Sequence, residues 1–112
     1  MNKFGYVGIE PRGTLAETAA LLGRALDELP FRADAEFRYD EYPAYVAERD
    51  GLRYALLGVP APENDLRDVP TNDFQLMIKP ILFDLESGKI DISNELKKKI
   101  DESGLLKCRL LE

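Results

Sequence analysis

The chain has no histidine, no tryptophan and one cysteine, Cys108, among 112 residues. Without histidine there is no imidazole general base, no Ser-His or Cys-His nucleophile pair and no imidazole ligand for a transition metal. A lone thiol excludes an internal disulfide, which suits a reducing cytoplasm. Flanked by Lys107 and Arg109, Cys108 reads as a buried structural residue of a strand. No apolar stretch of signal-peptide length follows Met1, so no export signal is expected. The longest charge-free stretch in the middle, Tyr54 to Pro62, is about half a membrane span and carries Gly58, Pro60 and Pro62, which excludes a spanning helix there. Gly5-Tyr6-Val7-Gly8 lacks the third glycine of a dinucleotide loop, and no glycine-rich loop ends in Lys-Ser or Lys-Thr. Asp84 to Asp91 alternates carboxylates, but Gly88 stands one position too early for a calcium loop and reads as a turn with solvated acids. No metal and no cofactor is expected.

What is present is an ordinary globular composition, 45% hydrophobic and 32% charged, in a length that suits one domain over residues 1–112. The net charge of −6 disfavours nucleic acid and anionic membrane as partners, since both need cationic neutralisation. The charge is uneven: residues 31–73 hold five arginines against ten acids, while residues 74–112 balance.

Along the chain, Lys3 to Glu10 reads as a strand ending at the turn Pro11-Arg12-Gly13. Thr14-Leu15-Ala16-Glu17 is a capping box, and Leu15, Ala19, Leu22, Leu26 and Leu29 form one helical stripe that Pro30 is expected to stop. From Phe31 the period changes to two, with Phe37 and Tyr39 opposite Glu36, Arg38 and Asp40. Tyr42 to Arg49 and Leu52 to Val59 flank Asp50-Gly51, a dipeptide suited to a hairpin turn. Pro60 to Asn72 reads as an exposed loop, and Phe74 to Leu85 as a strand that ends or bulges at Pro80. Asp91-Ile92-Ser93 caps a helix over Asn94 to Ser103, with Ile92, Leu96 and Ile100 as its stripe and Gly104 as its stop. Leu105 to Leu111 is a last strand with Leu106, Cys108 and Leu110 on one face. The expected fold is α+β: a largely antiparallel sheet with two helices over one face, in the order β-α-β-β-β-β-α-β.

Acids and tyrosines concentrate between Glu36 and Asp50, where three of the chain's five tyrosines lie. Tyrosine offers large apolar area at little entropic cost, and carboxylates steer a cationic partner. The expected partner-binding residues are Glu36, Tyr39, Asp40, Glu41, Tyr42, Tyr45, Glu48 and Asp50, assisted by Glu63, Asp65 and Asp68 of the following loop. Period-two alternation leaves another reading open, in which the tyrosines face the core and the acids are their solvated neighbours. Glu36, Asp40 and Glu41 also leave room for a small carboxylate-dependent enzyme.

Gly8-Ile9-Glu10-Pro11-Arg12-Gly13-Thr14-Leu15, the acidic α+β body and the size together resemble the small immunity proteins of bacterial toxin systems, particularly those paired with contact-dependent growth-inhibition toxins. The resemblance implies a cytoplasmic, non-enzymatic antidote that binds the C-terminal domain of a cognate toxin, often a cationic nuclease, and covers its active site. A small adaptor or regulatory subunit with another protein partner is the alternative.

Overall fold

Strand-forming residues at the N-terminus, with Val7 and Ile9 on one face and Phe4 and Tyr6 on the other, build β1 (Asn2–Ile9), which becomes an interior strand of the sheet. The computed structural model describes residues 2–34, 43–58, 73–86 and 88–110. The elements after β1 are α1 (Leu15–Ala25), β2 (Arg32–Ala33), β3 (Ala44–Arg49), β4 (Leu52–Leu57) and β5 (Phe74–Pro80). They are followed by β6 (Lys89–Asp91), α2 (Ser93–Ser103) and β7 (Cys108–Leu110). This is the expected α+β order with one short strand, β6, added before the second helix.

The sheet runs β2-β3-β4-β5-β1-β6, with β7 also on β1. All pairs are antiparallel except β1 with β6, which is parallel. β6 pairs with residues 2–4 of β1 and β7 with residues 7–9, so two short strands follow one another along one edge of β1. Between them the amide of Tyr6 donates to Ser93 Oγ at 2.9 Å, and that hydroxyl donates to Asp91 Oδ1 at 2.6 Å.

Local chemistry explains most element ends. Thr14 Oγ1 accepts from the amide of Glu17 at 3.1 Å and Glu17 Oε1 accepts from the amide of Thr14 at 3.0 Å, a reciprocal cap worth about 1 kcal/mol. Asp50 and Gly51 join β3 to β4 with φ of 53° and 76°. β5 ends at Pro80, and Gly104 stops α2 with φ 70°.

The first helix departs from expectation: it ends at Ala25, well before Pro30. Asp27 and Glu28 turn into the left-handed region with φ of 58° and 61°, and the amide of Leu29 folds back to the carbonyl of Gly23 at 2.9 Å. A long-range donor favours this ending. The Arg49 guanidinium, from β3, donates to the carbonyls of Leu26, Asp27 and Glu28 at 3.0 to 3.2 Å. Leu29 still reaches the core, so the apolar stripe holds although the helix does not.

Both helices cover one face of the sheet. There Val7, Ile9, Leu22, Leu56, Leu76, Ile78 and Ile100 form the main core with Leu106 and Cys108. Cys108 is buried as expected, and burial pushes its thiol up to about 11. Leu110 pairs with Val7 at the sheet edge but is 44% exposed, and the strand begins only at Cys108. Of the three residues expected on its inner face, Cys108 alone is a core residue of β7, with Leu106 reaching the core from the segment before it. The opposite face carries a smaller cluster, Ala44, Val46, Ala55 and Leu57 with Met77 against it.

Candidate functional site

The expected binding residues divide between described and undescribed segments. Glu36, Tyr39, Asp40, Glu41, Tyr42, Glu63, Asp65 and Asp68 lie outside the described residues, as do Phe37 and most of the strand expected after Phe31. Of the remainder, Tyr45 is half-buried and packs against the main core beneath the helices. Glu48 lies three positions on, on the opposite face of β3, and pairs with Arg32 at 3.4 Å. Asp50 occupies the exposed hairpin turn. The structure therefore does not bring Tyr45 and Glu48 onto one surface, and Tyr45 is a packing residue.

A different surface stands out on the sheet face opposite α1 and α2. Along β5, β1 and β6 runs an open groove of about 600 Å³, lined by Phe4, Tyr6, Met77, Lys79, Lys89 and Ile90 among others. Strand alternation explains its floor. Gly5 faces α2, where an added Cβ would lie 2.6 Å from Leu96 Cδ1, so Phe4 and Tyr6 on either side of it point to the other face. Tyr6 sits opposite Met77 in the register.

Beside the groove, the loop after β5 presents Ile81, Leu82, Phe83 and Leu85 to solvent, with Leu82 and Leu85 each 87% exposed. This loop is pinned. Asn2, 3% exposed, donates from Nδ2 to the Asp84 carbonyl at 2.7 Å and accepts at Oδ1 from the Asp84 amide at 3.0 Å. Phe83 packs at 6.1 Å between centroids against Phe4, and the Lys89 ammonium lies 5.7 Å from both ring centroids.

Among the described residues, cations outnumber carboxylates on this face. Arg53 and Lys79 are directly opposite one another across β4 and β5, and Lys89 lies farther along the groove. Arg53 Nε is buried without a hydrogen-bond partner. The nearest groove carboxylate, Asp91, accepts from both the amide and the hydroxyl of Ser93, and these bonds hold its pKa below the usual carboxylate value. Farther out, Arg109 makes a two-bond pair with Asp73, at 2.5 and 2.7 Å, that lowers the Asp73 pKa.

Sequence reasoning missed this groove because its residues come from three distant segments. One signal was present: β1 is apolar on both faces, which a strand covered on one side only does not need. Among the described residues no group of three potential ligands could hold a metal ion, and no helix is long and apolar enough to cross a membrane. Compared with known proteins, the chain matches no family model, no curated protein and no solved structure.

Proposed function

We propose that this chain is a protein-binding antidote that acts in the cytoplasm: an immunity protein of the bacterial contact-dependent toxin type, which docks on a toxin domain and blocks it. The observation that carries the docking role is the pinned apolar loop. Leu82 and Leu85 stand almost wholly in water while a buried asparagine holds their loop in place. An ordered apolar surface beside an open groove suits a partner that covers it. The acidic excess of residues 31–73 suits a cationic target such as a nuclease, whose phosphate-binding surface would attract it and speed association.

The test pairs capture with rescue. A partner that binds the purified chain tightly is expressed in cells with and without it. The expected result is growth arrest by the partner alone and growth when both are made. A partner harmless by itself, or arrest that persists with the chain present, overturns the antidote reading. Charge reversal of Asp40 and Glu41 together is expected to slow association most at low ionic strength. Unchanged rates would remove the steering role of that segment.

A further inference from the structure

We propose that the groove along β5, β1 and β6 is a docking site for an extended acidic segment of a protein partner, in which carboxylates alternate with apolar side chains. The inference rests on the reading of this chain as a docking protein, but not on the partner being a toxin.

Charge complementarity selects the occupant. Directly opposed Arg53 and Lys79 repel one another, an arrangement that lowers stability unless an anion lies between or above them. Arg53 Nε has no hydrogen-bond partner, although it is buried. Glu48, the residue opposite Arg53 on its other side, pairs with Arg32 instead. Among the described residues no carboxylate forms an ion pair with Arg53, Lys79 or Lys89. Asp91, the one carboxylate among the described residues lining the groove, stays anionic with its Oδ1 accepting from Ser93, and it forms no ion pair with Lys79 or Lys89, so the two lysines still outnumber it. Carboxylates from outside would pair with Lys79 and Lys89 in the groove and offset the repulsion between Lys79 and Arg53, in a chain whose own net charge is −6.

The shape selects an extended segment. The groove is open and spans β5, β1 and β6 side by side, with Phe4, Tyr6 and Met77 in its lining and Lys79 and Lys89 on its two outer strands. A strand-like peptide presents alternate side chains down to such a floor and out to such a rim. Lys89 stands 5.7 Å from the ring centroids of both Phe4 and Phe83 and has no carboxylate partner among the described residues.

The probe is a short fluorescent peptide in which glutamate alternates with leucine and phenylalanine, beside the same peptide with lysine for glutamate. Binding is followed by anisotropy at low and physiological salt. Saturable binding of the acidic peptide is expected, with the basic peptide weaker by about tenfold or more. K79E/K89E, which changes two exposed side chains, is expected to reverse that preference in a chain that still melts cooperatively. K79M/K89M gives the same reading without introduced acids, and is expected to abolish the discrimination. Equal binding of the two peptides, no saturable binding of either, or an affinity untouched in both variants overturns the proposal. So does tighter, lysine-dependent binding to phosphatidylserine vesicles, or self-association that the variants abolish. Failure of toxin rescue with peptide binding intact overturns only the antidote role, and the reverse result overturns only this site.

Discussion

Asn2 and Asp84 form a peptide-like pair across the base of an exposed loop: the Asn2 side chain donates to the Asp84 carbonyl at 2.7 Å and accepts from its amide at 3.0 Å. A side-chain amide thereby does what a neighbouring strand would do, at a place where no strand continues. Asn2→Leu keeps the volume and removes both bonds, leaving two backbone groups without partners. Expected is a loss of about 1–3 kcal/mol in urea unfolding, with faster amide exchange at Asp84 than at Ile78. Equal stability would mean that the Phe4–Phe83 contact and the bond from the Ile81 amide to the Gly51 carbonyl hold the loop without the Asn2 side chain.

Arg49 is the second long-range clamp. Its planar guanidinium reaches three carbonyls where α1 ends, and a cation there also complements the helix dipole. Arg49→Met is expected to cost about 1–3 kcal/mol, and Arg49→Lys to recover only part of it because an ammonium lacks the fork. Full recovery with lysine would reduce the role of Arg49 to charge alone.

Gly23 sits inside α1, where replacement by alanine ordinarily gains about 1 kcal/mol in helix propensity. Here the sign is expected to reverse, because an added Cβ would stand 2.4 Å from the Leu29 carbonyl oxygen. Gly23→Ala should lower the melting temperature, with a net loss of about 1–3 kcal/mol. A raised melting point would show that the turn at Asp27 and Glu28 yields freely.

Cys108 makes stability depend on alkaline pH. Burial raises the folded-state pKa from the ordinary 9.0 to about 11, so the folded chain keeps a proton that the unfolded chain gives up first. The thiol's contribution is complete below about 9 and is lost as pH rises towards 11. The difference in unfolding free energy between the native chain and Cys108→Ala is therefore expected to shrink across that interval. A constant difference would remove the thiol as its source.

Those features that depend on neighbouring residues were readable before the structure. The Thr14–Glu17 cap, the Asp50–Gly51 turn, the Gly104 stop and the break at Pro80 each involve a few adjacent positions, and all stand as expected. The end of α1 was not readable, because it depends on Arg49, more than twenty positions downstream. Strand β6 escaped because three residues are too few to display a period, and it is held instead by the parallel register with Asn2, Lys3 and Phe4. Tyr45 shows a further limit: its sequence neighbourhood suggests an interface, whereas the pairing of β3 places it under the helices.

Backbone edges, rather than side chains, govern whether β-rich chains join into larger aggregates. Here the β1 flank is divided between two three-residue strands, with the Ser93 hydroxyl occupying the interval at Tyr6, and among the described residues the far side of the sheet carries the two residues of β2. Short, interrupted borders of this kind offer an incoming strand little to zip onto. These described borders thus discourage side-by-side joining, so Leu82 and Leu85 can stand exposed beside them without a long strand edge to template fibrillar stacking, and a visitor to the groove meets it broadside.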